Sequence, residues 1–157
     1  MPIESYVDPL YPNGLSDILS KYDIQPRVWS DCPTGWLPLV DATLAALKAM
    51  GWRGHAGQIK SKFGGLRLYL DDLDAGVEKS VSRPYWDGYY DASRCGPMHT
   101  LVAMAESQSV RTCEVCGRFG RMNKTGWLRT LCTRHRRELN RTGLRSHTAV
   151  IGTEDTP

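Results

Sequence analysis

Four residues in the last third of the chain have the types and spacing of metal ligands. Cys113 and Cys116 form a C-x-x-C pair, and Cys132 and His135 form a C-x-x-H pair after fifteen intervening residues. Zn²⁺ prefers four sulfur or nitrogen ligands at the corners of a tetrahedron, and two such pairs joined by a loop can supply them. The sequence therefore predicts one structural zinc ion. The alternative, ordinary buried cysteines beside a surface histidine, does not explain the ligand spacing.

The residues around these ligands indicate how they are positioned. Residues 119–122 and 127–131 flank N-K-T-G, a turn-forming tetrapeptide, so a short hairpin is expected. Residues 133–141 are expected to form a helix that carries the second ligand pair on its first turn. A knuckle, a hairpin and then a helix is an order that resembles the treble-clef class of zinc folds. Four protein ligands close the site, so the metal is expected to hold structure and not to activate water.

The elements before the metal ligands are helices and a hairpin. Residues 14–22 have helical apolar spacing, and a longer apolar stripe runs from Trp36 to Met50, with Thr34 as the expected N-cap and Gly51 as the end. Residues 98–110 can form a further helix that leads into the first ligand pair.

A hairpin is predicted between these helices. Leu66, Leu68 and Leu70 alternate with polar residues, Ile59 and Phe63 do the same in a shorter strand, and Gly64-Gly65 is the expected turn or bulge. The outer face could bind phosphate and stack a base, although a solvated sheet face is the simpler interpretation. Its predicted residues are Lys60, Lys62, Arg67 and Tyr69.

The predicted fold class is therefore α+β, with a small helix-and-hairpin body followed by a treble-clef-like zinc module. Residues 1–13 are expected to be an extended lead-in, 14–105 the body, 110–145 the module and 146–157 a disordered tail. A module of this size cannot fold on apolar burial alone, and structural zinc supplies binding energy of the required order.

The charge is distributed unevenly along the chain. The net charge is −2 over residues 1–100, +7 over residues 101–150 and −2 over the last seven residues. Most of the excess is arginine, which makes bidentate contacts with phosphate and carboxylate groups. The expected partner is nucleic acid or an acidic protein surface; the oligomeric state is left open.

Composition also bears on the compartment. The chain has no apolar run of membrane-spanning length, and its N-terminus has no secretory signal pattern. Its five cysteines, an odd number at metal spacing, argue against a disulfide framework. A cytoplasmic location without a membrane partner is expected.

Three stretches occur in an order that resembles a family of short, largely uncharacterised bacterial and phage proteins. They are I-K-S-K-F-G-G-L-R-L-Y, S-V-R-T-C-E-V-C-G-R-F-G-R and G-W-L-R-T-L-C-T-R-H, and the resemblance covers roughly residues 35–135. It implies a bacterial or phage cytosolic setting and lends no catalytic residue. An aromatic insert near residues 85–90 departs from the family pattern.

The function favoured by these patterns is non-catalytic binding of nucleic acid through the arginine-rich module. Trp127 or Tyr69 would be available for base stacking. The expected phosphate contacts are Arg118, Arg121, Lys124 and Arg129 on the module's hairpin and Arg134, Arg136, Arg137 and Arg141 on its helix, with the hairpin cations of the body in support.

Two other functions stay open. A phage or mobile-element effector could inhibit a host defence protein through anchors in the aromatic insert, unless that insert is a lid on the body. An HNH-like nuclease is disfavoured because residues 117–131 contain no histidine. The anchor candidates are Tyr85, Trp86, Tyr89 and Tyr90.

A second metal site is the last candidate. Cys95 and His99 have C-x-x-x-H spacing, and Cys32 and His55 lie far away in sequence. Buried thiols and surface histidines are the favoured interpretation of these four residues.

Overall fold

The computed structural model describes residues 6–74, 96–123 and 126–142. Its elements are α1 (Leu15–Lys21), α2 (Leu37–Ala49), β1 (Ala56–Lys62), β2 (Gly65–Leu70), α3 (Pro97–Ser109), β3 (Arg121–Met122), β4 (Thr130–Leu131) and α4 (Thr133–Thr142). Helices and small antiparallel hairpins confirm the predicted α+β class. Several predictions lie outside the described residues, namely those for Tyr85, Trp86, Tyr89, Tyr90, Cys95, Lys124 and the tail at 146–157.

Helix α2 is the centre of the body. Its apolar stripe is buried through Val40, Leu44 and Leu47, as the periodicity predicts. The predicted cap was wrong. Thr34 begins a 3₁₀ turn (Thr34–Trp36) that precedes the helix, and its hydroxyl donates to the carbonyl oxygen of Tyr6 at 3.2 Å. Trp36 then takes the cap position of α2, because the tighter turn moves the start of the helix past Thr34.

β1 and β2 form the body hairpin. Ile59 pairs with Leu68 facing the core, and Lys60 pairs with Arg67 on the outer face. The predicted turn was shifted by one residue: Phe63 and Gly64 both have positive φ and make the two-residue turn, while Gly65 belongs to β2. Phe63 was expected in a strand facing the core and is instead exposed. Apolar alternation alone could not separate a strand end from a turn that requires positive φ.

Both edges of the body hairpin are covered. On the β2 edge, the amides of Leu66 and Leu68 donate to Ser109 Oγ at 2.8 Å and to Glu106 Oε1 at 2.7 Å. On the β1 edge, residues 27–31 add backbone hydrogen bonds, among them the amide of Asp31 to the carbonyl of Ile59 at 3.0 Å. The buried polar residues of α3 therefore satisfy strand amides that would otherwise lack partners.

Helix α3 is capped by a residue distant in sequence. The carboxylate of Asp74 accepts hydrogen bonds from the amides of Met98 and His99 at 2.9 and 3.0 Å, and from Nδ1 of His99 at 2.9 Å. Burial raises the pKa of Asp74, but these bonds outweigh it and hold the pKa below its usual range. Asp74 thus supplies the capping acceptor that Gly96 at the helix start lacks.

Within the described residues, the helices are too short and too polar to cross a lipid bilayer.

Candidate metal centre

The four predicted ligands converge in space. Nδ1 of His135 lies 3.4 Å from Sγ of Cys113 and 3.3 Å from Sγ of Cys132, and Sγ of Cys116 lies 3.9 Å from Sγ of Cys132. All four ligand atoms lie within 4.8 Å of one another. A tetrahedron around a zinc-sized ion has edges of about 3.8 Å between sulfurs and about 3.5 Å between sulfur and nitrogen. The four side chains are therefore placed so that they could hold a metal ion.

A tight backbone turn, the knuckle (residues 113–117), presents the first two sulfurs. The amide of Gly117 donates to the carbonyl of Cys113 at 2.9 Å, and Gly117 has a φ of 73°. The amide of Cys113 donates to the carbonyl of Arg118 at 2.7 Å, and the backbone N–H of Arg118 donates to the sulfur of Cys116. Backbone donors directed at sulfur stabilise the thiolates that metal binding requires.

The start of α4 presents the other two ligands. Cys132 directly precedes the helix, and its carbonyl accepts from the amide of Arg136 at 2.9 Å. His135 is buried on the same turn, and Leu131 and Leu139 pack with the ligands in a small core. The prediction that both ligands lie on the first helical turn was wrong for Cys132, because α4 begins one residue later, at Thr133, and only His135 lies on that turn.

The ligands differ in their proton affinity before a metal binds. Burial raises the pKa of the Cys116 thiol to about 11. Burial acts the same way on Cys132, but hydrogen bonds from the backbone N–H groups of His135 and Arg134 and from neighbouring thiols outweigh it, so that this pKa is lowered. Burial, with Arg134 nearby, lowers the pKa of His135 and favours the neutral imidazole that metals bind. A metal ion entering the site must therefore displace thiol protons, Cys116's above all.

The knuckle is packed against the body at Gly35, a contact that the sequence patterns did not reveal. The amide of Gly35 donates to the carbonyl of Glu114 at 2.8 Å, and the indole Nε1 of Trp36 donates to the carbonyl of Thr112 at 2.7 Å. A Cβ at position 35 would lie 2.6 Å from the amide nitrogen of Gly117. Only glycine fits this backbone approach.

A second connection joins the module to the body hairpin. The carboxylate of Glu114, buried inside the C-E-V-C sequence, pairs with the guanidinium of Arg129 and accepts from the amide of Thr130 at 3.3 Å. The buried hydroxyl of Thr130 donates to the carbonyl of Gly64 at 2.7 Å. Arg129, predicted as a phosphate contact, thus has an acidic partner within the fold. The only sign of this ion pair in the sequence was the charged residue, Glu114, between the two cysteines of the C-x-x-C pair.

The other arginines that were predicted as phosphate contacts fall into three groups. Arg134, Arg137 and Arg141 are exposed and lie three and four residues apart on α4, so they share one face, which we call the arginine stripe. Arg136 lies outside the stripe, and its side chain reaches the module's hairpin, where Nη2 donates to the carbonyl of Arg121 at 2.6 Å. Arg118 and Arg121 are exposed near the module's hairpin, and the Arg121 guanidinium lies 5.9 Å from the centre of the exposed Phe119 ring.

The predicted cations of the body share the outer face of its hairpin. Lys60 and Tyr69 lie on that face with Lys62, and Lys60 Nζ lies 5.5 Å from the centre of the Tyr69 ring. Arg67, on the same face, is half-buried and donates to the carbonyl of Leu66 at 2.7 Å.

The residues considered for a second metal site do not converge within the described residues. Cys32 is buried, where burial raises the pKa of its thiol, and His55 is exposed. His99 pairs with Asp74 at the start of α3. In the part of the chain that the structure describes, the only convergent group of three or more histidine, cysteine or acidic side chains is the site at residues 113–135.

Comparison of the chain with protein-family models, with curated proteins and with solved structures finds no match.

Proposed function

We propose that this protein is a non-catalytic, zinc-stabilised nucleic-acid-binding protein, and that the arginine stripe on α4 makes its main phosphate contacts. The proposal places the protein in the cytoplasm of a bacterium or an infected host, as the resemblance of its motifs implies. The single observation that carries it is the exposed stripe on α4, whose start lies between two of the four candidate metal ligands, Cys132 and His135.

The donor set supports zinc as the metal. Three thiolates and one imidazole suit Zn²⁺, which has no geometric preference of its own and accepts the tetrahedron that these atoms outline. Four protein ligands leave no open position on the ion, so zinc would supply folding energy and would not activate a water molecule. Residues 117–131 contain no histidine that could act as the general base of an HNH-like nuclease. These features favour a structural role.

The stripe supports an anionic partner. Arg134, Arg137 and Arg141 are exposed, and each guanidinium can contact a phosphate through two N–H groups. Arg118 and Arg121 add positive charge on the adjoining hairpin. Arg129 is left out of the proposed contacts because it pairs with Glu114. Net charge of this sign drives binding that depends on salt and little on base sequence.

Fluorescence polarisation with labelled duplex and single-stranded oligonucleotides over a salt series tests the proposal. The triple variant Arg134→Gln/Arg137→Gln/Arg141→Gln should weaken binding and lower the slope of log affinity against log salt. Each lost phosphate contact should remove about 0.9 from that slope on a duplex and about 0.7 on a single strand.

Single variants provide a charge-matched comparison. Arg137→Gln should weaken binding, whereas Arg53→Gln, which removes an exposed cation from the body, should leave affinity nearly unchanged. Equal effects of the two variants would indicate that only net charge matters, and salt-independent affinity would rule out phosphate binding.

A further inference from the structure

The turn of the body hairpin presents an aromatic side chain at a cost in stability. Phe63 has a φ of 52° and is 66% exposed. A bulky residue in the left-handed region is strained, and asparagine would fit the first position of this turn better. Neither backbone preference nor burial explains a phenylalanine here, and such an outlier motivates a hypothesis of function.

The turn contacts the segment that follows a second exposed aromatic residue. Gly64, the next residue, packs against the backbone of Leu128 and Arg129, and its carbonyl accepts the hydroxyl of Thr130. Trp127 directly precedes this contact and is 74% exposed. Phe63 and Trp127 are therefore each the neighbour in sequence of a residue in the contact between the body hairpin and the module.

Cations accompany the exposed rings. Nζ of Lys62 lies 5.2 Å from the centre of the Phe63 ring, and Nζ of Lys60 lies 5.5 Å from that of Tyr69. The outer face of the body hairpin carries Gln58, Lys60, Lys62, Arg67 and Tyr69, and none of these is acidic. Rings that alternate with cations match the alternation of bases and phosphates in an unpaired strand. The base faces of a duplex are stacked on one another, so a duplex could bind this surface only through phosphate contacts with the cations.

We propose that this surface binds single-stranded nucleic acid, with Phe63 and Trp127 stacking on unpaired bases and Lys60 and Lys62 contacting the adjacent phosphates. The inference rests on the proposed function and narrows its ligand to an unpaired strand. The arginine stripe would hold the backbone of the same strand or of its continuation.

The variant Phe63→Asn tests the proposal because it separates binding from folding. It creates the Asn-Gly pair that suits a turn with two positive φ values, so the midpoint of thermal unfolding should stay the same or rise. Affinity for a labelled oligodeoxythymidylate longer than about 16 nucleotides should nevertheless fall about 5- to 150-fold, the equivalent of about 1–3 kcal/mol of stacking. Affinity for a duplex of equal length should change less than twofold, a difference of about 0.4 kcal/mol.

Phe63→Tyr is the matched control, because it keeps the ring and should keep the affinity within about threefold, or about 0.65 kcal/mol. Trp127→Ala should reproduce the loss on the single strand.

Unchanged affinity of Phe63→Asn would overturn the inference while leaving the proposed function intact, provided that the arginine-stripe variants still weaken binding. An equal loss on duplex and single strand would overturn it as well. If neither probe shows salt-dependent binding, both this inference and the proposed function are overturned. A protein partner for the exposed rings would then be favoured.

Discussion

The amide of Gly35 donates a hydrogen bond to the carbonyl oxygen of Glu114, and this bond joins the turn before α2 to the middle of the metal-binding knuckle. Trp36, the next residue, is fully buried and reaches the carbonyl of Thr112 with its indole nitrogen. These two hydrogen bonds therefore couple the conformation of the metal site to that of the body's central helix, α2. Substitutions on the body side of this contact should affect metal binding.

Gly35→Ala should destabilise the protein by about 2–4 kcal/mol, because its Cβ would overlap backbone atoms that cannot move without distorting the knuckle. It should also weaken metal retention. Urea unfolding and competition with a chromophoric chelator measure the two effects. Gly51→Ala is the comparison: no atom lies within 4 Å of its Cβ, and only its positive φ opposes the change, at about 1–2 kcal/mol. Similar losses for both variants would show that crowding at Gly35 is unimportant.

The purified protein should contain one zinc ion per chain, and Cys116→Ser should lose it, because a serine hydroxyl is a poor ligand for the ion. Elemental analysis gives the stoichiometry, and cobalt replacement should give the visible spectrum of a tetrahedral thiolate site. Chelation should lower hydrogen-exchange protection at the knuckle and at the start of α4.

Cys32→Ala is the control for the metal experiment, since Cys32 belongs to the body core and lies outside the ligand cluster. This variant should keep one ion per chain while losing some stability from the cavity. A stoichiometry of two, or full metal content in Cys116→Ser, would contradict the assignment of the site.

The sequence predicted what depends on local spacing. The four ligands, α2, α3 and the two strands of the body hairpin follow from ligand separation and apolar periodicity within short windows. It did not predict what depends on distant pairs: the contact of Gly35 with the knuckle, the capping of α3 by Asp74, or the strand amides that Glu106 and Ser109 satisfy. Each of these residues has an ordinary local interpretation as a turn, loop or helix residue. Its partner becomes visible only when the chain is folded.

Asp41 holds three groups to the surface of α2, and Asp41→Asn should cost about 1–3 kcal/mol near neutral pH. Its carboxylate accepts from the hydroxyls of Tyr22 and Tyr11 at 2.5 and 2.8 Å and from Nζ of Lys21 at 3.0 Å. Burial raises the pKa of Asp41, but these bonds outweigh it and lower the pKa. A lowered pKa means that the stabilisation is present above the unfolded pKa of about 3.9 and is lost as the pH falls through the folded value.

At alkaline pH, the stability that Asp41 contributes depends on the protonation of the tyrosines that are hydrogen-bonded to it. Burial and the hydrogen bond to Asp41 raise the pKa of Tyr11 to about 12, so the neutral phenol is favoured in the folded protein. That contribution is present below the unfolded pKa of about 10 and is lost as the pH rises toward the folded value. Urea unfolding should show a stability gap between wild type and Asp41→Asn that is constant from about pH 5 to 9 and narrows on either side. Asp23→Asn, at an exposed position with left-handed φ that both residues tolerate, should show no such gap.

Arg129 and Arg137 should respond to the same substitution in opposite ways, although both were predicted as phosphate contacts. Arg129→Gln leaves the buried carboxylate of Glu114 without its cation and should cost about 1–3 kcal/mol, a range reduced because the Arg129 side chain is partly exposed to solvent. Its binding to oligonucleotides should be retained under conditions where the variant is folded. Arg137→Gln should change stability by less than about 0.5 kcal/mol, because Arg137 is exposed and has no hydrogen bond or ion pair to another side chain among the described residues. It should weaken binding. Unfolding and polarisation measured on the same preparations test this pair. A loss of binding in folded Arg129→Gln that equals the loss in Arg137→Gln would show that Arg129 leaves Glu114 to contact the nucleic acid.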